Sequence, residues 1–157
     1  MRLLEREGDR YRFGISQAER TVLFALLDRY PLIPLSHHRL CRSTGNSPSA
    51  EQALLEEAMS ARRSQLKNRV RQFIADANRF RHEKNHWQVT LTREEIEWLL
   101  QVLNDVRVGN WIRIGCPDPD EGRRPPSTRE GRLAVTEMEM AAHFEWLLLE
   151  AVEGPLA

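Results

Sequence analysis

Trp87-Gln88-Val89-Thr90-Leu91-Thr92-Arg93-Glu94-Glu95 is the stretch on which the fold turns. Its first five residues alternate apolar and polar with the period of a half-buried strand. Its last four have capping-box spacing, in which a Thr hydroxyl and a Glu carboxylate three residues later satisfy each other's backbone N–H groups. A strand therefore runs straight into a helix. The same junction occurs upstream, where Tyr11, Phe13 and Ile15 alternate with Arg12 and Gly14 ahead of Ser16-Gln17-Ala18-Glu19. Glu7-Gly8-Asp9 supplies turn chemistry before it, so residues 2–15 read as a β-hairpin. The simplest use of the strand at 87–91 is to pair with that hairpin in a small three-stranded sheet, because isolated strands are not stable.

Outward from these junctions the chain reads as helices. Val22, Leu23, Leu26, Leu27 and Tyr30 carry helix one, roughly 17–30, until Pro31. Residues 31–48 hold three prolines and a Ser-Thr-Gly-Asn-Ser cluster and read as a long surface connection. Leu55, Met59, Leu66, Val70, Phe73, Ala77 and Phe80 recur at helical spacing and predict helix two over about 50–82. Helix three, about 93–114, is apolar over more than half its circumference and must be packed on more than one side. The proline-rich, charged stretch 115–132 reads as a mobile loop. The last helix, about 134–152, is apolar except for a strip of Glu139, His143 and Glu150. The fold class expected is mainly α: a four-helix bundle-like core with a small N-terminal antiparallel β-hairpin plus one further strand, in a single domain over 1–157.

Composition narrows the function. Twenty-three basic residues balance 23 acidic ones, so no global field draws the chain to nucleic acid or an anionic bilayer. The N-terminal MRLLEREGDRYRF is interrupted by charge and is neither a signal peptide nor a span. Cys41 and Cys116 are far apart and are expected as free thiols of a reducing, cytoplasmic compartment.

Three clusters invite a chemical reading. His82-Glu83-Lys84-Asn85-His86 matches the zinc-hydrolase pattern, in which two histidines one helical turn apart bind the metal and the glutamate activates its water. Lys84 and Asn85 spoil a packed helix there, His86 runs into the Trp87 strand, and Asp105, the available third ligand, falls on a polar helix face. A solvated helix end is the better account. His37, His38 and Cys41 lack the paired spacing of structural zinc sites. Between Arg62 and Lys84 the bases outnumber the acids, but they spread over a wide arc, as on a solvated face rather than a DNA surface. No metal and no cofactor is expected, and a nucleic-acid partner is disfavoured.

The informative polar residues are those on apolar arcs. Arg107 falls between Ile96, Leu100 and Leu103 with Asn110 beside it, and Glu145 falls between Met138, Ala141, Leu148 and Val152. Two opposite charges facing a core should find each other or a ligand, since either one alone would cost several kcal/mol. Arg107 and Glu145, with Asn110 as a further donor, are therefore read as a buried polar pair or an interaction notch.

Leu103-Asn104-Asp105-Val106-Arg107, followed by Phe144-Glu145-Trp146-Leu147 after an opening hairpin and an S-x-x-E helix, resembles a bacterial family best known from actinobacteria, domain-of-unknown-function family twenty-seventeen. The resemblance implies a regulatory or adaptor role: genes of that family often neighbour the Clp-protease adaptor, and some members are labelled transcriptional regulators. The expectation is a cytoplasmic, non-enzymatic regulatory or adaptor protein with a Clp-protease-related protein partner, and a homodimer formed by the apolar surface of helices three and four. The alternatives are a metal-dependent hydrolase using His82, Glu83 and His86, and a DNA-binding regulator using the basic helix 62–84.

Overall fold

A computed structural model of the chain describes residues 1–34, 50–117 and 126–154. Strands β1 (Arg2–Glu7) and β2 (Arg10–Ile15) lead into α1 (Gln17–Asp28). Then come α2 (Ala50–Ala75), β3 (Phe80–Glu83), β4 (His86–Thr92), α3 (Arg93–Arg113) and α4 (Arg129–Glu153). The four strands form one antiparallel sheet in the order β1-β2-β4-β3. The fold is thus α+β, which corrects the mainly α, bundle-like expectation.

The error lies in the segment expected as the end of helix two. Asp76 stops α2, because its side chain accepts from the Asn78 N–H at 3.0 Å and its carbonyl accepts from Arg79 N–H at 3.1 Å, a local turn that competes with the helix. Phe80 then opens β3 opposite Val89. Phe73, Ala77 and Phe80 keep helical spacing across the break, which hides the strand. In fact Phe80 reaches the same core by a different route, edge-on to Phe73 at 5.7 Å and to Phe24 at 5.2 Å.

The two strand-to-helix junctions are as the sequence predicts. Ser16 and Thr92 both cap their helices in full capping boxes with Glu19 and Glu95. The two units lie antiparallel, with Phe13 directly opposite Val89 at the middle of the β2–β4 pair and Tyr11↔Leu91 and Ile15↔Trp87 on either side. Even the turns correspond: Gly8 has φ 60° and Lys84, at the same place in the second hairpin, φ 52°. Each capping glutamate also holds a cation, Glu19 the α-amino group of Met1 and Glu95 the guanidinium of Arg79. Burial alone would raise the Glu19 carboxyl. The ammonium and the Ser16 donors outweigh it and hold the group at about 2.

One face of the sheet, with Tyr11, Phe13, Ile15, Val89 and Leu91, is buried; Arg12 and Thr90 on the other face are exposed. Ile96, Leu99, Val102, Leu103 and Val106 of α3 join the same core, as do Leu23, Leu26 and Leu27 of α1 and Ala141, Phe144, Leu148 and Ala151 of α4. This accounts for the wide apolar circumference of α3, which neighbours cover within the chain. Helix α4 begins earlier than expected, since the Thr128 hydroxyl accepts from Gly131 N–H at 3.0 Å, so residues 129–132 of the expected loop are helical. Residues 118–125 of that loop, and 35–48 of the first connection, lie outside the described residues. No described helix is long and apolar enough to cross a membrane.

Lys84 and Gly109 each stand where the presence or absence of a Cβ matters. Lys84 sits in the left-handed region that costs an L-residue roughly 1–2 kcal/mol. Lys84→Gly should therefore raise stability by about 0.5–1 kcal/mol in denaturant titration, after the greater unfolded-state entropy of glycine is subtracted. Gly109 has no such φ, but a Cβ there would stand 2.6 Å from the Leu32 Cβ. Gly109→Ala should lose about 1–3 kcal/mol by overpacking even though alanine is the better helix former by about 1 kcal/mol. A gain in stability would show that Leu32 does not lie against α3.

Candidate functional site

Arg107 and Glu145 meet, though not as a fully buried pair. Arg107 Nε is 2.9 Å from Glu145 Oε2, with its N–H out of line with that oxygen, and a terminal guanidinium nitrogen donates to Asn104 Oδ1 at 2.7 Å. The Arg107 side chain is 42% exposed against 14% for Glu145. The arginine therefore lies along the α3–α4 seam with its head toward water. Burial raises the Glu145 carboxyl above the ordinary glutamate value, and the attraction of Arg107 offsets only part of that.

Among the described residues Asn110 is the polar side chain that is wholly buried, and it serves a different acid. Its amide donates to Glu137 Oε2 at 3.0 Å and its Oδ1 accepts from Arg113 at 3.1 Å. Glu137 also pairs with Arg29 at the end of α1, at 3.1 Å. This Arg29–Glu137–Asn110 chain ties α1, α3 and α4 together. The sequence reading missed Glu137 and Arg29. The signal present was an acid next to Met138 in the apolar run of α4, but the cation that answers it comes from a helix more than a hundred residues earlier.

Asp105, considered above as a metal ligand, accepts from the backbone N–H groups of Leu32 at 2.5 Å and Ile33 at 3.3 Å, while Arg63 of α2 donates to the Ile33 carbonyl at 2.5 Å. Together they fasten the chain after α1 onto α3. Tyr30 beside them has its hydroxyl pKa raised, first by burial and then by the Asp105 charge.

The HEKNH motif is a hairpin and not a helix. Glu83 pairs with His86 and His82 with Trp87 across a two-residue turn, so with a side-chain period of two His82 and His86 project from opposite faces of the sheet. His82 stacks edge-on against Trp87 at 4.9 Å. Among the described residues no group of three or more His, Cys, Asp or Glu is placed to hold a metal ion, and His37, His38 and Cys41 lie outside them. Cys116 is an exposed free thiol.

The basic stretch 62–84 is divided between α2, a turn and β3, and several of its charges are engaged. Arg62 donates to Gln101 at 2.7 Å, Arg69 pairs with Glu94 at 3.0 Å and Arg79 with Glu95. The last two pairs line an open cleft of about 330 Å³ with Asp76 and Trp98, and they neutralise it from within.

Among the described residues, exposed apolar side chains on the packed helices include Trp111 of α3, at 38%, and a row on the outer face of α4. Glu139, Ala142, His143, Trp146, Leu149 and Glu153 follow at steps of three and four, all exposed, with Trp146 at 50% and Leu149 at 42%. The opposite face, with Ala141, Phe144, Leu148 and Ala151, is buried, so the helix is fixed and its outer face stands ready. No family model matches the chain, and neither do any curated protein or solved structure.

The half-exposed geometry of Arg107 changes what Glu145 should contribute. A fully buried pair would lose about 3–5 kcal/mol when one partner is removed, but here Arg107 can turn to water. Glu145→Gln should therefore cost less than about 1 kcal/mol at neutral pH. A carboxyl whose folded pKa is raised contributes stability that is present below its unfolded pKa and lost as pH rises through the folded value. The variant should accordingly gain on the wild type between pH 4 and pH 7 in urea titrations. A loss of 3 kcal/mol or more at pH 7 would restore the buried-pair account.

Proposed function

We propose that the chain is a regulatory or adaptor protein that acts through protein contacts and without catalysis, using the outer face of α4. The observation that carries this reading is the placement of Trp146 and Leu149, one turn apart and half exposed, on a helix whose other face is closed. Single exposed apolar residues need no explanation, but a Trp with an adjoining Leu and Ala142 is the composition of an interface hot spot rimmed by charge. The rim is acidic, with Glu139, Glu150 and Glu153 against His143. A Clp-protease-related partner, which the family resemblance implies, belongs to this reading, as does a cytoplasmic setting.

Both alternatives lose their geometric support. The hydrolase reading needs His82 and His86 on one face, and the hairpin separates them. The DNA reading needs a row of available cations; Arg62, Arg63, Arg69 and Arg79 are held by groups of the chain itself, and the exposed Lys67, Arg71, Arg81 and Lys84 are divided among α2, β3 and the turn after it.

The test is indifferent to who the partner is. A photoreactive phenylalanine analogue replacing Trp146, irradiated in native lysate, should give a covalent protein adduct, while the same residue replacing exposed Gln65 on α2 should not. Equal labelling at both positions, or none at Trp146, would remove the contact role of α4.

A further inference from the structure

We propose that the occupant of this face is a second copy of the chain, joined edge to edge through β1; the inference rests on α4 being the contact surface. All six residues of β1 are exposed, and among the described residues the strand pairs on one side only, with β2. Its register runs Arg2↔Gly14, Leu3↔Phe13, Glu5↔Arg12, Arg6↔Tyr11 and Glu7↔Arg10, with a bulge between Leu3 and Glu5 that leaves Leu4 as an extra residue. Arg2, Glu5 and Glu7 thus project from the solvent face of the sheet, and Leu3 and Arg6 from the helix face.

With the bulge counted, the strand is complementary to itself. An antiparallel pairing about a twofold axis through the Leu4-Glu5 bulge sets Arg2 opposite the partner's Glu7 at both ends, on one face. It sets Leu3 against the aliphatic stem of the partner's Arg6 on the other. The two Glu5 residues approach at the axis, but each is already held by its own Arg12 at 2.5 Å. A bulge deters pairing with regular strands. A copy of the same strand brings the same extra residue to the axis, so the count of residues on the two sides agrees.

A six-residue edge alone is too small, because specific interfaces bury roughly 1,200 Å² or more. The helix layer supplies the rest. A twofold axis perpendicular to the sheet keeps both helix layers on one side. The C-terminal end of α4 lies beside β1, where the Arg6 guanidinium donates to the Val152 carbonyl at 3.3 Å. The C-terminal ends of the two copies of α4 are thereby brought toward the axis, and in the proposed dimer the exposed Trp146, Leu149 and Leu3 close over the junction of an eight-stranded sheet.

Light scattering at micromolar concentration should give twice the 18.3 kDa chain mass. Arg2→Glu alone and Glu7→Arg alone should each weaken the dimer about ten-fold or more, since each places like charges opposite one another twice. The double variant restores both pairs and should restore the dimer. Trp146→Ala should weaken it as well, with circular dichroism unchanged. A dimer indifferent to the single reversals, or one that the double variant fails to rescue, overturns the inference. If the wild type is monomeric while the residue-146 probe still captures a different protein, the second copy is excluded and the contact role of α4 stands; monomer with no adduct removes both.

Discussion

The contact on which the rest of this structure depends is the pairing of β2 with β4. Neither hairpin is stable alone, and the strands that join them are 76 residues apart by their matching caps, Ser16 and Thr92. Once Phe13 lies opposite Val89, every larger relation follows. The two capping boxes sit at opposite ends of the central pair, the helices they start leave in opposite directions, and both lie across the same buried face. The closure of so long a loop is opposed by entropy, and what offsets it is the burial of Tyr11, Phe13, Ile15, Val89 and Leu91 together with the helices.

The parts of the fold that were legible are those in which one signal dominates. A capping box after an alternating run states both the strand and the first helical residue, and both junctions are where the sequence places them. The hidden strand β3 shows where such reading fails. Phe73, Ala77 and Phe80 are spaced as a helix would space them, and only the Asx turn at Asp76 and the left-handed Lys84 tell otherwise. Lys84 is not a residue that announces a positive φ, whereas Gly8 at the corresponding turn does. The HEKNH pattern inherits that mistake, because its chemistry presumes the helix that Asp76 has already ended.

The candidate site was legible in part for a related reason. Helical phase correctly brings Arg107 to Glu145, but phase says nothing of depth, and a long side chain on the margin of an apolar arc can carry its head to water. Asn110 has no such reach. A short amide at zero exposure has to be satisfied where it stands, and Glu137 and Arg113 satisfy it. The polar link that locks three helices together was therefore built around the shorter side chain, with Arg29 arriving from α1 to balance the acid.

The two halves of the chain share a plan, strand, strand, helix, long helix, and differ in what the long helix does. On α4 the core-facing residues are Ala134, Ala141, Phe144, Leu148 and Ala151. The same spacing on α2 reads Glu56, Arg63, Leu66, Val70 and Phe73. Toward the C-terminal end the two sets are equivalent, and there α2 is anchored, with Val70 and Phe73 buried. Further back, α4 offers alanines, which let a neighbouring helix approach closely, whereas α2 offers Glu56 and Arg63, which do not. Arg63 instead spends its charge on the Ile33 carbonyl, and Leu54 a few turns away is 66% exposed. Charged residues thus stand on α2 where α4 has alanines, and the first half of α2 lies at the surface while α4 is part of the core. The stable outer face that a contact surface requires is therefore found on α4.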